Sequence, residues 1–581
     1  MKQIKVRKMK KKLPISKMIA SAALAVAAIT PSFGQANLGS ACGCPTVASR
    51  PTVLLSSLPG FVAINGTYGG ELTSGAVLTC DKTYIIDQKI YIPSGQSLNI
   101  APGTVLKGRV APDLVSTPGT PDPAKASALV IERGGKIMAD GSADCQIVFT
   151  AEADPLDGSY SISNKGKWGG VVILGKATNN LTLAANGPFV PGGSGKLAVA
   201  NGLGTMEGFA TSNTQDQYGA DLSNGQSFDD NDNSGIMRYN SIRFAGAILS
   251  VGAELNGLSL ASVGRGTTIE HLDIISSADD NIEFFGGTVN IRYVAGLYGN
   301  DDMFDYDLGW TGKCQFLFGM KTDLTASVDS DNGFEADSDD GKSNNNPKAI
   351  PVVYNATLIG NAKTTLTSDN SSIAAINAKE LTGGEIYNSV FANFKNGFNM
   401  VKSVGARTGG YEAYHNWSTA NGNGTNILKV KCNTFVGVTN PLTVGSAAAN
   451  VVQADNDQFA ADGNVIVAGN TLPGFDYTFT IDNNATVGAN TYSKQADFIP
   501  NPSLSVSGCP TAPVDGFYRV ANYRGAFSSN ANENWLSNWS YAQVLNATKG
   551  LVACPTDINA DGVTNVNDFL QLSASFGTSC N

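Results

Sequence analysis

Histidine is almost absent from this 581-residue chain, and charged residues make up only 15% of it. His271 and His415 are the two histidines, and none of the nine cysteines forms a Cys-x-x-Cys pair, so the usual ligand sets of a zinc site are missing. Beyond the N-terminus no apolar run reaches about 18 residues, which excludes a transmembrane helix there. Gly-x-Ser-x-Gly and His-Glu-x-x-His are absent too, which excludes two common hydrolase signatures.

The first 36 residues are typical of a secretory signal peptide. Eight Lys and Arg residues and no acid precede residue 18, the apolar run 18–30 follows, and a small-x-small pattern then allows cleavage after Gly34 or Ala36. This apolar run is too short to span a membrane, which needs about 20 residues. We therefore expect residues 1–36 to be removed on export and the rest to be extracellular or on the outer cell surface.

The charge and the cysteines agree with export. Without residues 1–36 the net charge falls from −10 to about −18, because the removed segment carries eight basic residues and no acid. So negative a protein is a poor partner for nucleic acid but suits divalent cations. All nine cysteines follow residue 36, and in an oxidising space we expect several of them to pair, with a connectivity that the sequence leaves open.

Short runs rich in β-branched and aromatic residues recur along the chain, and Gly, Asn, Asp and Pro separate them. Examples are 82–86, 97–100, 127–131, 146–150 and 170–174. Strands of four or five residues divided by such turns predict an all-β fold. A sandwich, a propeller and a β-helix all fit this pattern, so internal repetition has to decide between them.

One acidic template occurs at 279–283, 301–305 and 331–335, with a weaker copy at 395–399. Successive copies lie 22, 30 and 64 residues apart. Because one coil of a right-handed parallel β-helix takes about 20–25 residues, we predict such a solenoid, with equivalent residues of successive coils stacked. The acids that would then line one face are Asp279, Asp280, Asp301, Asp302, Asp305, Asp331 and Glu335.

Two interpretations of this acidic stripe remain open. Stacked Asp and Asn side chains at a recurring turn can bond neighbouring backbone groups, which is a structural role. They can also bind a ligand or a second calcium ion, or supply the carboxylate pair that glycoside hydrolysis requires. The repetition of the acids favours the structural role, because a catalytic pair need occur only once. We therefore assign no catalytic residue.

From Val77 onward the chain resembles a β-helix segment found in many surface proteins of the Bacteroidetes phylum. The matching stretches are 78–80, 91–95, 98–108, 168–175, 238–246, 255–258, 285–289 and 354–361, followed by a closing segment at 523–527 with Trp535 and Trp539. The resemblance implies an exported cell-surface protein, often sent through the type IX secretion route. Proteins of that route usually end in a β-sandwich sorting domain, which is not visible in this sequence.

The stretch 557–568 fits a twelve-residue EF-hand-type loop that binds Ca²⁺. The predicted ligands are Asp557, Asn559, Asp561, the backbone carbonyl of Val563, and Asp568. Gly562 stands where the loop needs its sharp turn. An Asx-rich turn without metal is the alternative. The loop resembles one half of a dockerin module, which implies a cohesin-like partner, but dockerins carry two such loops and this chain shows one.

The predicted fold class is therefore all-β, a right-handed parallel β-helix with a small C-terminal EF-hand-like calcium module. We expect five segments: the signal peptide 1–36, an N-terminal segment 37–75, the parallel β-helix 76–470, a β-rich closing segment 471–550, and the dockerin-like loop with a short helix 551–581. The expected function is structural, adhesive or glycan-binding, with a polysaccharide or cell-surface glycan as partner. The alternative is a polysaccharide lyase or glycoside hydrolase that uses the acidic stripe.

Replacing Asp561 by Ala should remove one bound calcium ion per chain, because the fifth loop position supplies a side-chain oxygen to the metal. Isothermal titration of the full-length protein with calcium counts the sites. Asn567→Ala alters the eleventh, non-ligating position and should leave the stoichiometry unchanged. Equal stoichiometry in the Asp561 variant and the unaltered protein would contradict the prediction.

Overall fold

The computed structural model describes most of the chain between residues 38 and 544. The described ranges are 38–65, 68–109, 126–181, 197–200, 202–209, 213–250, 253–321, 332–338, 345–360, 374–402, 409–415, 426–445, 447–469, 471–472, 475–481, 493–498, 506–528, 533–537 and 539–544. The predicted signal peptide, the predicted calcium loop and Asp331 lie outside these ranges. Within them, no helix combines the length and the apolar character that crossing a bilayer requires.

The larger of two extended sheets has 17 strands among the described residues. With strands numbered in chain order, its members are β1 Thr52–Leu54, β4 Ala76–Leu78, β5 Thr83–Ile86, β7 Ser97–Ile100, β8 Val105–Gly108, β10 Lys136–Asp140, β11 Ile147–Ala151, β16 Gly235–Arg243, β20 Thr268–Ile275, β22 Asn290–Leu297, β24 Lys313–Met320, β26 Val352–Ile359, β28 Gly384–Tyr387, β29 Val390–Ala392, β31 Leu428–Lys431, β32 Thr434–Val436 and β34 Val465–Val467.

The second sheet has 12 described strands. They are β2 Phe61–Ala63, β3 Gly69–Leu72, β6 Lys89–Ile92, β9 Ala128–Ile131, β12 Val171–Leu174, β19 Leu258–Val263, β21 Ile282–Gly287, β23 Phe304–Asp307, β25 Phe334–Ala336, β27 Ala374–Ala378, β30 Asn396–Met400 and β33 Asn440–Val444. Every pairing in this sheet is parallel except that of β2 with β3.

Smaller elements decorate the two sheets. Three small antiparallel groups comprise β13 Leu197–Ala200, β14 Leu203–Thr205 and β15 Gln217–Gly219; β17 Ile248–Ser250 and β18 Ala253–Glu254; and β35 Thr471–Leu472, β36 Phe475–Ile481 and β37 Ser493–Phe498. The described α-helices are α1 Gly410–Tyr414, α2 Gln453–Ala461 and α3 Tyr541–Val544. Single 3₁₀ turns lie at Ser40–Cys42, Val47–Ser49, Leu55–Ser57, Thr214–Asp216, Leu222–Asn224 and Ala448–Asn450.

The chain winds so that each coil adds a parallel strand to both sheets, which is the predicted β-helix. The five runs named from the sequence coincide with β5, β7, β9, β11 and β12 to within one residue at each end. Parallel pairing already includes β1 with β5 and β3 with β6, so it begins inside the segment 37–75. The 64-residue step of the acidic template spans two coils, because β27 lies between β25 and β30.

Apolar residues at equivalent positions of successive coils stack on one another and form the core between the two sheets. In the 12-stranded sheet one register position carries an inward apolar residue in seven successive strands, namely Leu258, Ile282, Phe304, Phe334, Ile376, Phe398 and Leu442. Phe284 stacks on Trp310 with ring centroids 3.7 Å apart, and both are buried. Trp168 is buried as well, so both tryptophans pack the interior and are not available to stack on a sugar.

A column of left-handed residues bends the long strands of the 17-stranded sheet. Tyr239, His271, Tyr293 and Phe316 have φ between 51° and 58°, and their rings stack with centroids 4.4, 4.5 and 4.9 Å apart. Burial lowers the pKa of His271 to about 4, so it is neutral at physiological pH. A left-handed backbone conformation is unfavourable for bulky residues other than glycine. The stacking of these four rings offsets part of that conformational free energy.

A strap, formed by the described residues 506–528, 533–537 and 539–544, covers this bent corner in three passes. From the Cys432–Cys509 disulfide it runs back to Arg292, which donates to the Phe517 carbonyl. It then returns to Asn433, whose carbonyl accepts from Arg524 at 2.9 Å. The last pass reaches β20, where Asp273 Oδ2 accepts from the Tyr541 backbone N–H at 2.5 Å. Trp535 and Trp539 from this pass pack against the rings of Tyr293 and Tyr239.

Two further disulfides secure the N-terminal coils. Cys42 pairs with Cys145, and Cys44 pairs with Cys80. With the strap disulfide, six of the nine cysteines are paired among the described residues, as expected for an oxidising environment. Cys314 is buried outside any disulfide, and burial raises the pKa of its thiol well above the usual value. Cys554 and Cys580 lie outside the described residues.

Replacing Phe284 by Ala should lower the free energy of unfolding by about 3–5 kcal/mol, because it empties a ring-sized volume against Trp310. Urea denaturation followed by tryptophan fluorescence measures the change. Val514→Ala is the matched control, since Val514 is 97% exposed and its loss should change the midpoint little. An unshifted midpoint for the Phe284 variant would contradict the proposed core.

Candidate functional site

Acidic side chains line the outer surface of the 12-stranded sheet in its middle coils. Ile282 and Phe284 lie in the core, so Glu283 between them points the other way, and the same alternation directs Asp305 and Glu335 outward. These three acids are register partners in β21, β23 and β25. We call this surface the acidic face. It comprises Asp279, Asp280, Glu283, Asp301, Asp302, Asp305, Asp307, Glu335 and Asp337.

The turn before each of these strands is joined to the next coil by a ladder of side-chain hydrogen bonds. Asp280 Oδ1 accepts from the Asp302 backbone N–H at 2.7 Å, and Asp302 Oδ1 accepts from the Asn332 N–H at 2.5 Å. Asn332 Oδ1 continues the series by accepting from the Ala374 N–H at 3.0 Å. The structural interpretation of the acidic stripe predicts hydrogen bonds of this kind. One oxygen of Asp280 and one oxygen of Asp302 therefore hold neighbouring coils together.

Two groups of three carboxylates converge beside this ladder. One oxygen each from Asp279, Asp280 and Asp301 lie within 4.8 Å of one another, and the same holds for Asp280, Glu283 and Asp305. Asp280 belongs to both groups. In the second group the three residues are 5%, 3% and 8% exposed, so their charges are largely removed from water. Like charges brought so close and so far from solvent require protons or a cation to balance them.

The pKa values reflect this crowding. Burial, followed by repulsion from Asp301, Glu283, Glu254 and Glu207, raises the pKa of Asp279 well above its ordinary value. Burial also raises the pKa of Asp280, with Asp279, Asp305, Asp302 and Asp301 adding to it. Both carboxyls therefore retain protons to higher pH than in the unfolded chain unless a cation replaces those protons.

The donor set fits a hard divalent cation. Ca²⁺ takes six to eight oxygen ligands at about 2.3–2.6 Å, so oxygens on opposite sides of the ion lie about 5 Å apart. The carboxylate oxygens of each group lie within 4.8 Å of one another, so one ion could contact all three. Asp279, Asp280 and Asp301 would hold one ion, and Asp280, Glu283 and Asp305 would hold an ion at the more buried position.

Farther along the face the carboxylates meet a lysine. Lys379 donates to Glu335 and lies 3.3 Å from Asp337 Oδ2. Although burial alone would lower the pKa of Lys379, the carboxylates of Asp337 and Glu335 raise it well above the usual value, so Lys379 stays protonated. Beyond Lys379, the register position of Glu335 is occupied by amide and hydroxyl side chains. Asn399 Nδ2 donates to Asn377 Oδ1 at 2.9 Å, and Thr443 Oγ1 donates to Asn399 Oδ1 at 2.7 Å.

The structure brings together six of the seven acids expected to line one face; Asp331 lies outside the described residues. Sequence reasoning left out Glu283, Asp307, Asp337 and Lys379. Glu283 is the last residue of the first template copy, so the template itself indicated it. Arg292 stands between two copies of the template in the sequence, but it is not on the acidic face: it lies on β22 of the other sheet and pairs with Glu270 at 2.6 Å.

Without divalent cations, stability should fall as pH rises above the ordinary range of Asp carboxyls. Burial and neighbouring acids raise the folded-state pKa values of Asp279 and Asp280, so above that range the folded state binds more protons than the unfolded state. The stabilisation is complete below the unfolded pKa of about 3.9 and is lost as pH rises through the folded values. Calcium should reverse the loss, most strongly at high pH.

Thermal unfolding in chelator and in calcium, repeated across pH, measures this effect. The double variant Asp279→Asn, Asp280→Asn is the control, because the amide oxygen introduced at position 280 can still accept from the Asp302 backbone while both charges are gone. Its melting temperature should depend less on pH and respond less to calcium. Identical pH profiles for the variant and the unaltered protein would rule out the raised pKa values as the cause.

Comparison with known proteins agrees with this geometry. Residues 70–478 match the family model described as a pectate-lyase-like β-helix domain, and this stretch contains the whole acidic face. The chain matches none of the curated proteins and none of the solved structures with which it was compared. The family match covers more than half of the sequence and coincides with the coils of the two parallel sheets. The chain therefore belongs to the pectate-lyase-like β-helix domain family.

Proposed function

We propose that the protein binds acidic polysaccharide outside the cell through calcium ions held on its acidic face. The observation that carries this proposal is the pair of overlapping carboxylate groups, which bring oxygens of Asp280, Glu283 and Asp305 within 4.8 Å of one another in a nearly buried position. Three buried carboxylates repel one another strongly, and a divalent cation relieves that repulsion.

A calcium ion held there would keep part of its coordination shell for a ligand. The Asp279, Asp280 and Asp301 group is the more accessible one, since Asp279 and Asp301 are only half-buried. Three protein carboxylates leave several of the six to eight calcium positions open. Carboxylates of a uronic acid polymer are oxygen ligands of the kind that calcium prefers, so the ion would bridge the protein and the polysaccharide.

The shape of the face suits a chain rather than a small compact ligand. Successive coils are spaced by about 4.8 Å, the separation of neighbouring strands, and they repeat polar side chains at one register position. From Ser259 through Glu283, Asp305 and Glu335 to Thr443, this polar column crosses seven strands. Most members of the column are buried and bond to neighbouring coils, so a polymer would reach the face at the half-buried Asp279, Asp301 and Glu335.

Binding is favoured over cleavage. A lyase needs a base that can accept a proton from the sugar, and a lysine serves only if its pKa is lowered. Lys379, the basic residue that contacts the acids among those described, has its pKa raised instead. Arg292 is engaged by Glu270 on the other sheet. Polysaccharide lyase or glycoside hydrolase activity stays the alternative, and release of unsaturated products or reducing ends from pectate would favour it.

The proposed location is extracellular or on the outer cell surface. The signal peptide at 1–36 and three disulfides support export. The predicted C-terminal calcium loop, with Asp557 and Asp568 at its two ends, would add a second calcium-dependent element outside the β-helix. Through it the chain could be displayed on a cohesin-like partner, and the resemblance to Bacteroidetes surface proteins suggests the type IX route.

Replacing Asp305 by Asn should abolish most calcium-dependent binding of polygalacturonate, because it removes a ligand charge from the buried group. Binding is measured by affinity electrophoresis in gels that contain the polymer, with calcium or chelator. Asp157→Asn is the matched control, since Asp157 is an exposed acid outside the face, and it should not alter retardation. Retardation that survives chelator and the Asp305 substitution would refute the calcium-bridged mode.

A further inference from the structure

The disulfide that closes the strap has a buried cation beside it. Arg524 lies in the second pass of the strap and is 6% exposed. Its Nη2 donates to Cys509 Sγ at 3.7 Å and to the Gly463 carbonyl at 3.4 Å. Its Nη1 donates to the Asn433 carbonyl at 2.9 Å and to Thr434 Oγ1 at 3.1 Å. These bonds fix the guanidinium between the strap and the last coils of the β-helix.

This guanidinium has no carboxylate partner among the described residues. All four of its hydrogen-bond acceptors are neutral, and its Nε is buried without an acceptor there. Burial lowers the pKa of Arg524, and no carboxylate opposes that shift. The carboxylate of Asp462 instead pairs with Lys431 at 2.9 Å and accepts from the Tyr414 hydroxyl at 2.8 Å. Because a buried cation without an anion costs free energy, a negative charge beside Arg524 would be stabilised.

Reduction of the Cys432–Cys509 bond would supply that anion. A thiol beside a guanidinium loses its proton more readily than an isolated thiol, because the thiolate is paired. Cys509 Sγ already accepts from Arg524, so its thiolate would form next to a counter-ion. Cys509 is half-buried, which lets a small thiol reach it, whereas Cys432 is 5% exposed. This environment therefore favours the reduced form relative to the disulfide.

The two N-terminal disulfides have a different electrostatic environment. Asp81 follows Cys80 and Asp144 precedes Cys145, so each of these bonds has an acid next to it in the chain. Arg50 is a buried cation of this region, but its guanidinium donates to backbone carbonyls and Asp81 opposes the effect of burial on its pKa. A thiolate in either bond would form beside a like charge, which disfavours it.

We propose that the Cys432–Cys509 bond is a redox latch, which small extracellular thiols open while the two N-terminal disulfides stay closed. A thiolate of the small thiol attacks Cys509 Sγ, the S–S bond breaks, and its electron pair leaves on Cys432, which takes up a proton. A second thiolate then attacks the small-thiol sulfur of the mixed disulfide, and the electron pair leaves on Cys509 beside Arg524. In total, two small thiols are oxidised to their disulfide and one protein disulfide is reduced.

Opening the latch loosens the first pass of the strap. Just beyond the disulfide this pass is held by single hydrogen bonds, which Asn388 and Tyr354 donate to strap carbonyls at 2.8 and 3.2 Å. Tyr354 and Tyr387 are buried there, and Tyr518 of the strap packs with them. Without the covalent tie, the pass detaches more often and uncovers this pair of rings. The latch uses no residue of the acidic face, so it goes beyond the proposed function and is tested separately from it.

Equilibration of the full-length protein in glutathione redox buffers tests the latch. After acid quenching and alkylation, peptide mass spectrometry gives the reduced fraction of each disulfide. We expect Cys432 and Cys509 to be half-reduced at a value of [GSH]²/[GSSG] at least about tenfold lower than the N-terminal pairs require. Arg524→Gln should raise the value needed at the latch by about tenfold or more and leave the two N-terminal disulfides unchanged.

Two further variants separate the charge of Arg524 from its packing. Arg524→Lys keeps a cation at the site and should shift the equilibrium less than Arg524→Gln does. Arg519→Gln is the matched control, since it removes an exposed positive charge from the same strap, and it should not shift the equilibrium. Equal glutathione dependence of all three disulfides, or an unshifted latch in an Arg524→Gln protein whose circular dichroism shows it folded, would overturn the proposal.

Two measurements on the reduced protein complete the test. The alkylation rate of Cys509 should reach half its maximum at a pH below about 8.5, the usual thiol value, and this pH should rise in the Arg524→Gln variant, which a purely structural role of Arg524 would not cause. Hydrogen–deuterium exchange at residues 510–519 should be faster after reduction, because the tie to Cys432 is gone. An ordinary thiol titration, or equal exchange in both forms, would refute the latch.

Discussion

In-register parallel pairing of successive coils is the constraint on which the rest of this molecule depends. Each register position places a residue directly over its counterpart in the next coil, at the spacing of paired strands. Where the position faces inward, the result is an unbroken apolar column such as the one from Leu258 to Leu442. Where it faces outward, the same rule stacks Glu283, Asp305 and Glu335 and forces like charges together.

The acidic face is thus both a structural and a chemical consequence of the fold. Side chains of Asp280 and Asp302 join coils through backbone hydrogen bonds, and burial together with the neighbouring carboxylates raises the pKa of Asp280. The structural and ligand-binding interpretations of these residues are therefore compatible. One oxygen can hold the next coil while the other faces a cation, because a carboxylate has two oxygens and about four lone-pair sites.

Much of the fold could be predicted from the sequence, because strand residues and turn residues alternate clearly. The acidic template also located the coils of β21, β23 and β25, since its copies are register partners. The coil of β27 was missed, because residues 373–377 read Ile-Ala-Ala-Ile-Asn and lack the polar turn that begins every recognised copy of the template. The signal peptide and the calcium loop around Asp561 stay predictions, because they lie outside the described residues.

The composition of the candidate sites was harder to predict. Lys379 joins Glu335 and Asp337 only because β25 and β27, although about 40 residues apart in sequence, are neighbours in the sheet. A cavity lined by Ser94, Glu132, Lys176 and Thr214 needs residues 213–228, which leave the coils between β12 and β16. Cys432 and Cys509 pair because the chain returns to the β-helix 77 residues later, and no local sequence pattern predicts that return.

The path of the strap has a mechanical consequence. Because its last pass ends beside Asp273 in the middle of the β-helix, tension applied beyond Val544 enters the molecule at mid-length. Such a load would act first on the strap, peeling Trp539 and Trp535 from their ring stack one contact at a time, before any coil is unwound. The Cys432–Cys509 bond lies at the far end of that path, so it would stop the peeling and pass the load to the coil of β31 and β32.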